Sequence, residues 1–63
     1  MRLLLHDPAY TDEFAAFLQS VGQRPVVSGP DHVEIGNIEV DELEVYLRVW
    51  RVLYPDAEVE FVL

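Results

Sequence analysis

The apolar residues of this chain recur with two different periods, and the order in which those periods alternate leaves few folds open. Three consecutive leucines in Arg2–His6 (RLLLH) read as a short buried strand. Tyr10, Phe14, Phe17, Leu18 and Val21 then fall at i, i+4, i+7, i+8 and i+11, one face of a helix. Asp31–Gly36 (DHVEIG) alternates, with Val33 and Ile35 on one side and His32 and Glu34 on the other. The helical period returns from Glu42 to Tyr54, where Leu43, Tyr46, Leu47, Trp50, Leu53 and Tyr54 share a face. Ala57–Leu63 (AEVEFVL) alternates again, placing Val59, Phe61 and Leu63 inward and Glu58, Glu60 and Val62 outward.

Turn and cap residues punctuate these segments. Two start signals precede the first helix. Asp7-Pro8 offers an N-cap and a first-turn proline, and Thr11 is followed by Asp12 and Glu13, well placed for the helix dipole. Gly22 ends that helix as a C′ residue. Arg24–Ser28 (RPVVS) reads as a second strand, and Pro25, which has no N–H, puts it on a sheet edge. Ser28-Gly29-Pro30-Asp31 is a tight turn by composition. Two readings fit Val33–Val40: a hairpin turning at Gly36-Asn37, or a helix starting near Asn37 to Asp41 with Glu39, Asp41 and Glu42 in its first turn. The helix is the reading favoured here. Glu44, Arg48 and Arg51 form its polar face, with Glu44 four residues before Arg48 in the favourable order, and Pro55 stops it.

The order β, α, β, β, α, β defines an α+β domain. Right-handed crossovers fold it into a split βαβ: a four-stranded antiparallel sheet in the order 4-1-3-2 with both helices on one face. Sixty-three residues allow one domain, spanning 1–63. A chain this short buries only about 60% of its unfolded surface. With no cysteine it has no disulfide, iron–sulfur cluster or thiolate zinc site to add stability. Apolar packing must suffice, and the expected core is Leu3, Leu5, Phe14, Phe17, Val33, Ile35, Leu43, Leu47, Trp50, Val59 and Phe61.

On this element order the chain resembles the ferredoxin-like superfamily over essentially its whole length. Through LLHDPAYTDEFAAFL and YLRVWRVLYP it is similar to small bacterial proteins of that topology. Asp7-Pro8 also resembles the acidic residue and proline between the first strand and first helix of regulatory ACT-type domains. Ala9 stands where those domains carry a glycine that lets the backbone approach an amino-acid ligand. Metallochaperones of this fold carry a CxxC loop, which a cysteine-free chain cannot supply. Acylphosphatase-like enzymes need a glycine-rich, arginine-bearing loop where this chain has His6-Asp7-Pro8-Ala9. RNA-recognition domains stack bases on sheet aromatics, whereas the outward positions of strands one, three and four carry none.

Charge narrows the partners. The net charge is −8, with four arginines and no lysine. Arg2, Arg24, Arg48 and Arg51 are too few and too scattered to face a phosphate backbone or an anionic bilayer. Leu3–Leu5 is far too short for a secretory signal, and no segment approaches the roughly 20 apolar residues of a membrane helix. A cytoplasmic protein that binds neither nucleic acid nor membrane is expected.

Two constellations remain. In the split βαβ, His6, His32 and Glu58 come to one end of the open sheet face, with Asp7, Asp31 and Glu60 nearby. Two imidazoles and a carboxylate suit zinc or a similar divalent ion, or a pH-responsive site. No other cofactor is expected, and no nucleophile accompanies these residues: Thr11, Ser20 and Ser28 read as cap, helix surface and turn. The second helix also carries Val45, Val49 and Val52 outside its core stripe, bordered by Arg48. A helix apolar over so much of its circumference is usually covered on more than one side. The sequence thus points to a small non-enzymatic interaction or regulatory module that forms a homodimer through this stripe. The sheet face with Leu4 and Val62 is the rival surface, and the histidine-based site is the alternative function.

Overall fold

The computed structural model describes residues 1–62. It comprises β1 (Arg2–Leu5), a 3-10 turn (Pro8–Tyr10), α1 (Thr11–Ser20), β2 (Val26–Val27), β3 (His32–Glu34), α2 (Val40–Leu53) and β4 (Val59–Val62). The strands form one four-stranded sheet in the order β2-β3-β1-β4, which read from the β4 edge is 4-1-3-2. All three pairings are antiparallel.

Central β1 sets the register. Leu3 pairs with Val33 on one side and Phe61 on the other, and Leu4 pairs with His32 and Glu60. Side chains alternate along a strand, so Leu3, Leu5 and Val33 share one face and are fully buried there. Phe14 and Leu18 of α1 and Leu43, Leu47 and Trp50 of α2 join them, with Ile35 and Ala57, in one core.

An aromatic chain ties the helices together. Trp50 is fully buried, and its ring centroid lies 5.0 Å from Phe14, 5.5 Å from Phe17 and 4.3 Å from Tyr54. Its indole N–H donates to the Ala57 carbonyl at 2.9 Å, so the one polar atom of the ring is satisfied inside the core.

Both start signals before α1 are used, but not as expected. Asp7 caps the 3-10 turn, accepting from the Ala9 N–H at 3.0 Å. Thr11 is no cap: it is buried, and its hydroxyl donates to the Pro30 carbonyl at 2.7 Å, pinning α1 to the loop before β3. α1 ends in a Schellman motif: Gln23 N–H donates to Leu18 O and Gly22 N–H to Gln19 O, with Gly22 at φ 90°. Between Ile35 and α2 the chain forms a helix entry and no hairpin. α2 begins at Val40, earlier than Glu42, with Asp41 and Glu42 in its first turn and Arg51 in its last, the charge order its dipole favours.

Several expectations need correction. β2 shrinks from Arg24–Ser28 to two residues, since Pro25 cannot donate to a ladder. β3 is also short, although Met1 and Ile35 extend its pairing with β1 through two backbone bonds of 2.8 and 2.9 Å. Phe17 and Val59 pack against the core only partly buried, and Phe61 is 40% exposed, because β4 lies at the sheet edge. Leu53 is exposed as well. The inward position expected for Leu63 lies outside the described residues. Leu18 and Ala57 complete the core instead.

Candidate functional site

The sheet face away from the helices carries the candidate histidines. Strand alternation lays out Glu34, Arg2 and Val62 in one cross-strand row and His32, Leu4 and Glu60 in the next. His6 follows opposite Glu58, to whose carbonyl its N–H donates at 3.0 Å. Arg2 and Glu34 close an ion pair at 2.8 Å across the first row.

His6 and Glu58 do come together. Nδ1 of His6 lies 3.2 Å from Glu58 Oε2, and Nε2 lies 2.6 Å from Glu60 Oε1. The imidazole is thus bracketed by carboxylates on two sides. A neutral ring carries one N–H and can donate to one of them, whereas an imidazolium donates to both. Exposed pairs of this kind contribute little to stability.

His32 does not join this group. It stands opposite Leu4, one strand away, and its Nδ1 lies 2.7 Å from Asp31 Oδ1. Its ring leans over Gly29 in the neighbouring turn. Each imidazole is drawn to the acid beside it, His6 toward β4 and His32 toward the turn. Among the described residues, no three His, Cys, Asp or Glu side chains are grouped so as to hold a metal ion. The shared site of His6, His32 and Glu58 is therefore reduced to a His6–Glu58–Glu60 cluster. The Thr11 hydroxyl donates to Pro30 O and that of Ser20 to Phe17 O.

Two tyrosines at the helix flanks are perturbed. Hydrogen bonding to Glu42, with burial and the Glu42 charge behind it, raises the Tyr46 hydroxyl above its ordinary 10.0, against a smaller opposing contribution from Gln23. Interaction with the Glu13 carboxylate does the same for Tyr54. The Tyr46 hydroxyl donates to Glu42 Oε1 at 2.7 Å, one turn earlier on the same helix.

The outward side of α2 is the most distinctive surface. Val45, Val49 and Val52 are 54%, 47% and 81% exposed, and Leu53, at 58%, extends their stripe. Spacings of i, i+4, i+7 and i+8 align the four on one side of the helix. Ile38 packs against the core, and the loop carrying it leaves the stripe uncovered. Leu53 lies on the flank of the helical core face, where period alone does not decide between core and surface.

Arg48 borders this stripe on the side that faces β4. The expected Glu44–Arg48 ion pair does not form, and neither Arg48 nor Arg51 has an ionic partner among the described residues. Two shallow concavities follow that side. One of about 260 Å³ is bounded by Glu44, Leu47, Arg48, Arg51 and Phe61. The other, about 360 Å³, opens near Pro55 and reaches His6, Glu58 and Glu60. Among the described residues, no helix is long and apolar enough to cross a membrane.

Compared with protein-family models, curated proteins and solved structures, the chain finds no match.

Proposed function

We propose that this chain is a small, non-enzymatic protein-interaction module of ferredoxin-like topology, and that it associates with a second copy of itself through the outward face of α2. The topological reading is supported by the βαββαβ element order and by β1 and β3 lying between β4 and β2. The functional reading is carried by one observation: Val45, Val49, Val52 and Leu53 stay in water on a helix whose other side is the core.

Burying an aliphatic side chain of this size contributes about 1.5–3 kcal/mol. Four of them left 47–81% exposed represent an unused contribution as large as many small domains' stability. Pairing two stripes about a twofold axis recovers it, and an isologous contact of this kind closes on itself. Arg48 then borders the contact, within reach of the second copy's many carboxylates. By comparison the open sheet face, with Leu4 and Val62 set among Arg2, Glu34, His6 and Glu60, is too charged to serve as well.

The test is Val49→Asp. A buried, unpartnered charge at the centre of the stripe should weaken the α2 contact while leaving the core intact, so circular dichroism should be unchanged and the sedimenting mass reduced. Wild-type protein that sediments as a monomer at high micromolar concentration would remove the proposal. An assembly whose mass is insensitive to Val49→Asp would move the contact off α2.

A further inference from the structure

β4 ends the sheet on one side, and its bonds to β1 determine which of its backbone groups are free. His6 N–H donates to Glu58 O, and β1 and β4 pair Leu5 with Val59, Leu4 with Glu60 and Arg2 with Val62. Hydrogen-bonded and non-hydrogen-bonded pairs alternate along an antiparallel ladder. Glu58, Glu60 and Val62 therefore turn their N–H and C=O groups toward β1. Val59 and Phe61 turn theirs away from the sheet, and among the described residues nothing pairs with them.

The two sheet edges are not alike. β2 offers two residues preceded by Pro25, a common way of blunting an edge. β4 offers four residues in unbroken register and no proline. Beside it runs the groove against α2, in which Phe61 lies next to Glu44, Leu47, Arg48 and Arg51.

We propose that a second copy of this chain adds its own β4 to this edge, antiparallel, about a twofold axis through the Phe61 pair. The charges choose the register. An axis at Val59 sets Glu58 opposite Glu60 of the other copy, and an axis at Glu60 sets the two Glu60 side chains face to face. Like charges directly opposite are destabilising. An axis at Phe61 sets Glu60 opposite Val62, keeps the carboxylates apart, and pairs two aromatic rings through residues whose N–H and C=O groups are both free.

The same axis satisfies the helix flank. Phe61 lies level with the stretch of α2 from Glu44 to Arg51, whose ends carry opposite charges. A twofold reverses that stretch in the second copy, so Glu44 of one chain faces Arg51 of the other, twice over. These arginines have no ionic partner of their own among the described residues. The contact goes beyond the α2 pairing proposed above and uses a different surface, so blocking one leaves the other available.

The chain has no cysteine, which permits a register-specific test. In a hydrogen-bonded antiparallel pair the Cα atoms lie about 5.5 Å apart, within the roughly 4.4–6.8 Å that a disulfide spans. Residues at position 59 of the two copies would lie more than about 13 Å apart along the strands. In the Val49→Asp background, Phe61→Cys should convert to a covalent dimer under a mild oxidant, at least tenfold faster than Val59→Cys. Equal rates, or faster linkage at Val59, would overturn the register. The Val49→Asp chain with native Phe61 supplies the second measurement and should itself sediment as a dimer. If it is a monomer at high micromolar concentration while the wild type is a dimer, the edge contact fails and the α2 reading stands. If it keeps the full wild-type mass and links at Phe61→Cys, the α2 reading fails and the edge contact stands.

Discussion

Replacing Trp50 by alanine removes the side chain around which both helices are organised. The ring is fully buried among Phe14, Phe17 and Tyr54, and truncating such an aromatic costs about 3–5 kcal/mol. A second loss comes from the carbonyl of Ala57. It accepts the indole N–H at 2.9 Å, and Ala57 is only 2% exposed. Alanine at position 50 leaves that oxygen without a partner, which adds about 1–3 kcal/mol. The sum, about 4–8 kcal/mol, matches the whole stability expected of a chain this size, about 3–9 kcal/mol at the usual per-residue value. Trp50→Ala should therefore be largely unfolded. Trp50→Phe keeps much of the ring volume but not the donor, so it should fold with a lower urea midpoint. Trp50 is the single tryptophan, so far-ultraviolet circular dichroism during urea titration is the suitable assay. A Trp50→Ala protein with the wild-type midpoint would refute the assignment of this residue to the centre of the core.

Gly22→Ala tests the end of α1. No atom lies within 4 Å of a Cβ added there, but the backbone sits at φ 90°, so the cost is purely conformational, about 1–2 kcal/mol in thermal or urea unfolding. Tyr54 should ionise above the ordinary 10.0 in an ultraviolet difference titration, and Glu13→Gln should bring it back down. Because the folded value is raised, the stability this phenol contributes is complete below the ordinary value and is lost as pH rises through the folded one. Glu13→Gln should accordingly lose less stability in alkali than the parent chain.

Much of this fold is legible in the residues themselves. The leucines of β1, the stripe from Tyr10 to Val21 and the second helix are recovered because periodicity reports directly on which side of an element meets the core. Periodicity does not report how much of a side is covered. Phe61 alternates as an inward residue and faces the helices, yet lies half in water because α2 does not reach past the sheet edge. Leu53 fails in the same way at the flank of a helix. Thr11 shows a different limit: its spacing suits a cap, but its hydroxyl is claimed by the carbonyl of Pro30, a contact only the folded chain creates. The histidines combine both cases. Alternation places His6 and His32 on the open face, while the acids beside them, Glu58 and Glu60 for one and Asp31 for the other, decide where each ring points.

The sheet also imposes an order in time. β1 is the first of the described elements to leave the ribosome, and it must take β4, the last, as a neighbour. Leu3 meets Val33 across 30 residues of chain and Phe61 across 58. In free energy the longer closure is hardly worse, since doubling a loop adds only about 0.6 kcal/mol. In sequence of events it matters more, because at about 5–20 residues per second the central strand waits for nearly the whole chain with one flank open. The Ala57 carbonyl that receives the Trp50 indole arrives in the same late stretch, so α2 cannot finish its own packing earlier. The sheet and the α2 packing are therefore complete only once β4 and the segment before it have emerged.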